Sequence, residues 1–300
     1  VTIGRIPAAE AAIEPEVLRV LLRAQHADLA ERPITEVGSG WDNVLYRLGD
    51  DLLARLPRRS AAAELIAREQ KWLAVLAPRL PLPIPVPLRV GRPDGAFPWP
   101  WSIVPWFAGE DAISARPRHA ERAGRDLGQF LNALHHPAPA DAPRNPVRGI
   151  PLTGRAAAVD ECARQLDGIV DRARVLDAWH ELAGVPPWPG PPLWIHGDLH
   201  PGNLLVRGGR LAAVIDFGDL AAGDPATDLA IAWMLLPDRA RPIFRAAAAG
   251  PERSIDDDTW ARARGWALAL GLVFLASSAD RPAMGVIGQT TIDAVLAERA

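Results

Sequence analysis

Three short apolar runs, Leu193–Ile195, Leu204–Val206 and Leu211–Ile215, follow one another closely in the chain. Their length, their β-favouring content and the Gly, Asp and Pro that bound them predict strands. Gly208-Gly209 joins the second and third as a two-residue hairpin turn. Between the first and second lies His196-Gly197-Asp198-Leu199-His200-Pro201-Gly202-Asn203, a stretch too polar to be core. A lone hairpin beside a polar loop is not stable in water and has to rest on a larger apolar body. The chain is therefore limited to folds in which a small hairpin is carried by other elements.

The flanking sequence supplies that body. Residues 15–30 place apolar side chains at helical spacing, with Pro15 as a first-turn residue. Ile34–Val37, Val44–Leu48 and Leu52–Leu56 predict strands, the last two joined at Gly49-Asp50, and a helix runs from Ser60 to about Leu76. Short strands near 86–90 and 101–106 fit between the prolines of 78–100. From residue 117 the spacing turns helical, over 119–135, 155–182, 226–236, 239–249, 256–278 and 289–299. The fold class is α+β: a small antiparallel sheet with one inserted helix over residues 1–106, then a larger, mainly helical region over 107–300 that holds the hairpin.

Composition narrows the function. Net charge is −3 over 300 residues with a pI near 6.2, so no basic field points to nucleic acid or an acidic membrane face. The longest apolar run, Trp266–Ala276, is too short to span a bilayer, and the opening residues show no continuous apolar leader. Cys162 is the one cysteine, which excludes an internal disulfide and any zinc site with two thiolates, and fits a reducing compartment. The expectation is a cytoplasmic protein with neither nucleic acid nor a membrane as partner.

The chemistry concentrates in the hairpin region. Asp198 on the loop can accept a proton from an attacking hydroxyl, and Asn203 can offer a neutral oxygen to a hard cation. Asp216, at the end of the third strand in Asp216-Phe217-Gly218, faces Asn203 across the hairpin and completes a magnesium site. Either motif alone arises in unrelated contexts. Their order on strand, loop, hairpin and strand is what makes them specific.

The block resembles the catalytic loop and magnesium motif of protein kinases, and more closely the aminoglycoside phosphotransferase family, which includes macrolide, choline and homoserine kinases. Three family motifs are present: His196–Asn203, Ile215-Asp216-Phe217 and Gly223-Asp224-Pro225-Ala226-Thr227-Asp228. The resemblance covers about residues 34–236. It implies a protein-kinase-like two-lobe fold and an enzyme that moves the γ-phosphoryl group of ATP or GTP, with magnesium, to a hydroxyl of a small molecule. Asp198 is then the catalytic base, and Asn203 and Asp216 are the magnesium ligands. His200 touches phosphate or braces the loop, and Asp228 braces the loop or caps a helix.

In the first lobe Gly38, Ser39 and Gly40 stand where the family covers the phosphates. The family's strand lysine is missing, since Lys71, the only lysine, lies on the following helix. Arg55 is the substitute, able to fork onto phosphate oxygens, with Glu69, or else Glu64, as its partner. Pro105 and Phe107 stand where the family's hinge meets the nucleotide base.

The acceptor is less constrained. A polycationic aminoglycoside needs an acidic wall, for which Asp256, Asp257, Asp258 and Asp280 are available, although a helix start also favours carboxylates. A macrolide needs an apolar wall, for which Trp233, Trp260 and Trp266 are available, although their spacing also suits a helical core. The resemblance leans towards an antibiotic. Another small metabolite, resembling choline or homoserine, a nucleotide-binding scaffold without turnover, and a metal-dependent hydrolase using Asp198, Asp216 and His200 are the alternatives.

Overall fold

Buried residues alternate with half-buried ones along Asn43–Leu48, the pattern of a sheet with one face on a core. In the computed structural model, which describes residues 8–250, 254–277, 279 and 281–298, that sheet has five strands. Helix α1 (Pro15–Gln25) precedes β1 (Ile34–Ser39), β2 (Asn43–Leu48) and β3 (Leu52–Pro57). Helix α2 (Ser60–Leu76) is inserted before β4 (Arg89–Gly91) and β5 (Trp101–Pro105). The order is β1-β2-β3-β5-β4, antiparallel throughout.

The chain continues with β6 (Glu110–Asp111), α3 (Ala120–Leu134), α4 (Ala156–Gln165) and α5 (Arg172–Ala183). Then come β7 (Leu193–Ile195), β8 (Leu204–Arg207), β9 (Arg210–Val214) and β10 (Ala221–Gly223). Five helices close the chain: α6 (Ala226–Leu229), α7 (Ile231–Leu235), α8 (Arg241–Ala249), α9 (Asp257–Ala276) and α10 (Pro282–Ala297). The predicted hairpin is β8–β9, and both turn glycines take positive φ, as a primed turn requires.

Several boundaries differ from the sequence reading. The helix expected over 155–182 is two, because Asp171 accepts a hydrogen bond from Arg174 N at 3.1 Å and starts a fresh helix. The last helix begins at Pro282 rather than 289, with proline in its first turn. The strand expected at 86–90 lies at Arg89–Gly91, and the helix expected over 226–236 is two short pieces.

Buried side chains form two clusters. One lies under the five-stranded sheet around Leu18, Tyr46, Leu56 and Trp101. The larger packs α3, α4, α5 and α9 around the hairpin. Helix α2 belongs to this second cluster through Trp72, Leu73 and Leu76, with the Trp72 ring edge-on to Trp194 at 4.9 Å. The same part of the helix is tied to β5, since Gln70 Nε2 donates to Trp101 O at 2.9 Å and Ser102 Oγ at 3.0 Å. The sheet and the helical region are thus joined through α2. No helix among the described residues is long and apolar enough to cross a membrane.

Candidate active site

The loop after β7 is held by one carboxylate. Asp228, fully buried, accepts hydrogen bonds from His196 N at 2.7 Å and Gly197 N at 2.9 Å, and meets His135 Nε2 at 3.0 Å. It therefore braces the loop. Gly197 turns the chain with φ +85, and a Cβ there would stand 2.3 Å from the Asp219 carbonyl oxygen. Only glycine fits such a position. His196 donates from Nε2 to Ile215 O at 3.0 Å, while its Nδ1 accepts from Asp198 N at 3.3 Å. That imidazole sets the spacing between the loop and the end of β9.

Asn203 Nδ2 donates to Asp198 O at 2.9 Å, which leaves the amide oxygen for a cation. Ile215 N donates to Asn203 O at 2.9 Å, so the two ends of the hairpin stay side by side. Asp216 follows at φ +62, the one described non-glycine residue in the left-handed region. Such a conformation costs about 1–3 kcal/mol and persists where the surroundings enforce it. Its side chain is 58% exposed, with Oδ1 3.7 Å from Arg55 Nη2. Among the described residues no group of three or more His, Cys, Asp or Glu could hold a metal. Magnesium needs only one or two protein oxygens, with phosphates and water completing its shell, so Asn203 and Asp216 fit it.

Arg55 on β3 reaches α2, with Nη1 donating to Glu69 Oε2 at 2.6 Å, both side chains buried. Glu64 instead faces solvent, near Arg68. Burial pushes the Glu69 carboxyl up, against the pull of Arg55. Burial works against the Arg55 charge, but the Glu69 and Asp216 carboxylates outweigh it and raise its affinity for the proton. The pair thus holds a guanidinium beside Asp216.

Asp198 faces three cationic or ionisable groups. Arg148 Nη2 donates to its Oδ1 at 3.2 Å, and His200 Nε2 lies 3.5 Å from its Oδ2. Burial works to raise this carboxyl, yet the His200 hydrogen bond and charge, with Arg148 and His196, hold it well below the usual carboxylate range. His200 Nδ1 also accepts from Gly202 N at 3.0 Å, and its ring packs on Phe274. Asp219 is pushed up, first by burial and then by the Asp198 charge, and accepts from Asn145 Nδ2 at 2.7 Å.

A cleft of about 470 Å³ opens between the sheet and the hairpin. Its walls are apolar at Leu45, Leu53, Val104, Leu205 and Ile215, and its polar end carries Arg55, Asp42 and Asp216. Pro105 and Phe107 line it, as does Gly40, together with Trp41 and Trp106. Gly38 and Ser39 lie in β1 beyond a bulge and do not line it. Asp42, bound to Arg59 at 2.9 Å, is raised by burial and then by the Asp216 charge.

Arg148, Asn145, Asp219 and Asp42 were not singled out from sequence. Asp219 directly follows Asp216-Phe217-Gly218, a signal that could have been read; Arg148 and Asn145 come from an irregular loop with no local pattern. The supposed acceptor walls have other duties. Asp256 caps α9 by accepting from Thr259 N at 2.7 Å, and Asp257 pairs with Arg245 at 2.7 Å. Asp280 lies outside the described residues. Trp266 is fully buried, and Trp233 stacks on Trp260 at 4.7 Å within the helical core.

Known proteins share this architecture. A structure of APH(2″)-IIIa with GDP and kanamycin superposes with a TM-score of 0.69 at 18% identity, covering 93% of this chain and 98% of that one. The macrolide 2′-phosphotransferase MphH from Brachybacterium faecium gives 0.61 at 20% identity, covering 95% and 100%. At these identities the likeness is one of fold. A homoserine kinase of Parvibaculum lavamentivorans is 32% identical over 174 residues, 55% of this chain and 52% of that protein. The chain thus matches about half the length of that curated relative. A sequence profile of the phosphotransferase enzyme family matches residues 33–266, most of the chain. With the kinase-like fold, that match establishes that the chain belongs to the phosphotransferase enzyme family.

Proposed function

We propose that the protein transfers the γ-phosphoryl group of ATP or GTP to a hydroxyl of a small molecule. The observation that carries this reading is the meeting of Arg55 and Asp216 at the polar end of one apolar-walled cleft, with Asn203 held to Ile215 on its wall and to Asp198 on the loop, each at 2.9 Å. The apolar walls suit a nucleotide base, with Pro105 and Phe107 at its edge and Gly40 over the phosphates. GDP in the APH(2″)-IIIa structure supports a nucleotide in that place. Residues 1–106 then cover the nucleotide, and residues 107–300 carry the catalytic loop and the acceptor.

Asn203 and Asp216 would hold magnesium, which when bound neutralises phosphate charge. Arg55, fixed by Glu69, forks onto phosphate oxygens. Asp198, kept ionised, accepts the proton of the acceptor hydroxyl and orients its oxygen for in-line attack. His200 holds the loop through Gly202 and faces Asp198. Most of the rate enhancement comes from positioning and charge stabilisation. Arg55 makes the ion pair expected of the absent lysine, so an inert scaffold gains no support from that replacement.

The kanamycin and macrolide names of the structural relatives support an antibiotic acceptor. The homoserine kinase relative supports a metabolite, and the engagement of Asp256 and Asp257 in a cap and an ion pair favours that second class. Cys162, buried and unpaired, suits a reducing compartment, and the reading takes the cytoplasm as the place of action. The test mixes the protein with magnesium and ATP or GTP and a panel of hydroxyl compounds, and reads phosphoryl gain by mass spectrometry. Transfer lost in Asp198→Asn is the expected result. Transfer that survives in that variant removes the base from the account.

A further inference from the structure

Two large apolar side chains that line the cleft are left open to solvent: Val37 is 46% exposed and Trp41 43%. Exposed apolar surface in a cleft marks a place that a ligand covers. Trp41 stands between β1 and β2, and the backbone on both sides of it is fixed. Arg58 N donates to Asp42 O at 2.8 Å, Arg58 Nη1 donates to Gly40 O at 3.1 Å, and Gly40 N donates to Asn43 O at 2.8 Å. Arg59, directly before α2, holds the Asp42 carboxylate at 2.9 Å. The indole is thus presented to the cleft by a clamped loop. With Asp42 engaged by Arg59, it is the large apolar face that this loop offers.

The pairing along β3 fixes which part of the cleft Trp41 covers. Pro105 stands opposite Leu52, at one end of the strand. Arg55, three residues on, lies about 10 Å away, and Pro57, opposite Asn43, lies about 7 Å further. A nucleotide with its base at Pro105 and Phe107 and its phosphates at Arg55 therefore points its terminal phosphoryl group towards the loop that carries Trp41. We propose, resting on the kinase reading above, that Trp41 covers the reacting phosphoryl group and keeps water from it. In transfer, an electron pair of the acceptor oxygen forms the new P–O bond and the hydroxyl proton goes to Asp198. The bond from the γ-phosphorus to the β,γ-bridging oxygen breaks, its pair leaving with the nucleoside diphosphate. Water in the acceptor's place gives inorganic phosphate by the same displacement. Trp41 thus sets how nucleotide consumption divides between transfer and hydrolysis.

The test compares the full chain with Trp41→Ala and Trp41→Phe. The side chain is exposed, so both variants should melt within about 2 °C of wild type. Each is given magnesium and ATP or GTP, with homoserine, choline, glycerol, kanamycin and erythromycin as acceptors. Inorganic phosphate is read by a colour assay and phosphorylated product by mass spectrometry. With the best acceptor, the ratio of phosphate released to phosphoryl transferred should rise about tenfold in Trp41→Ala. The nucleotide KM should move less than about threefold, and Trp41→Phe should recover most of the ratio. Without acceptor, phosphate release by Trp41→Ala should rise about threefold. Transfer and hydrolysis that fall together, or a changed nucleotide KM with an unchanged ratio, assign Trp41 to nucleotide binding; either overturns the proposal and leaves the kinase reading standing. An unchanged ratio with an unchanged KM overturns it as well. Where none of these acceptors is phosphorylated, phosphate release decides alone, and its failure to rise in Trp41→Ala overturns the proposal. If calorimetry shows that neither magnesium-nucleotide binds, the kinase reading falls and the proposal with it.

Discussion

Asp228→Ala removes the acceptor of three hydrogen-bonding groups at once: His196 N, Gly197 N and His135 Nε2. The side chain is fully buried, so no water replaces it at once. Each stranded backbone donor costs about 1–3 kcal/mol, and breaking a buried charged network costs about 3–5 kcal/mol. The expected loss is therefore about 4 kcal/mol, a large share of the 5–15 kcal/mol that holds a typical domain. Asp228→Asn keeps the shape but turns an amide NH₂ towards one of the donors, and should cost about half as much. Urea unfolding followed by tryptophan fluorescence should show the Ala midpoint lower by more than about 1 M, with Asn between. The kcat should fall in both, because Asp198 rides on the same loop. An Ala variant with an unchanged midpoint and kcat would refute the idea that this carboxylate holds the loop.

Gly197→Ala forces a side chain to φ +85 and against the Asp219 carbonyl, so it should unfold more easily by about 2 kcal/mol or more and lose activity; thermal melting and turnover check both. Arg55→Ala leaves Glu69 buried without its partner and should cost about 3–5 kcal/mol together with most nucleotide affinity, whereas Arg55→Lys should keep binding within about tenfold, as calorimetry would report. Asp198 is held below its ordinary value, so its pairing stabilises the fold above the unfolded value of about 3.9 and that contribution is lost as pH falls through the lower folded value. The stability gap between wild type and Asp198→Asn should therefore shrink only in strong acid, and kcat/KM should show no acid limb from this residue between about pH 5 and 7.

The candidate site was legible where it is local. Asp198, Asn203 and Asp216 lie on one strand, loop and hairpin, so their order in the chain is nearly their order in space. The Arg55–Glu69 pair was also legible, because a strand followed by a helix in one small sheet leaves few partners. Arg148 was not, since an irregular loop brings it to Asp198 across 50 residues of chain and no periodicity marks it. Asp228 had two readings in the sequence, a loop brace and a helix cap, and only its contacts in the structure separate them in favour of the brace. The strand β10 carries only Ala and Gly, with no β-branched residue to mark it, and pairs with β7 through backbone alone. Helix boundaries failed where a cap outweighed periodicity, as at Asp171.

The most direct measurement follows γ-phosphoryl oxygen carrying an isotope label from nucleotide to acceptor, with magnesium or with a chelator, in wild type and Asp216→Ala. The label should appear in the acceptor only with magnesium and only in wild type, with transfer in the variant lower by orders of magnitude. Transfer that persists in Asp216→Ala or under chelation, or label released solely as inorganic phosphate, would contradict the account.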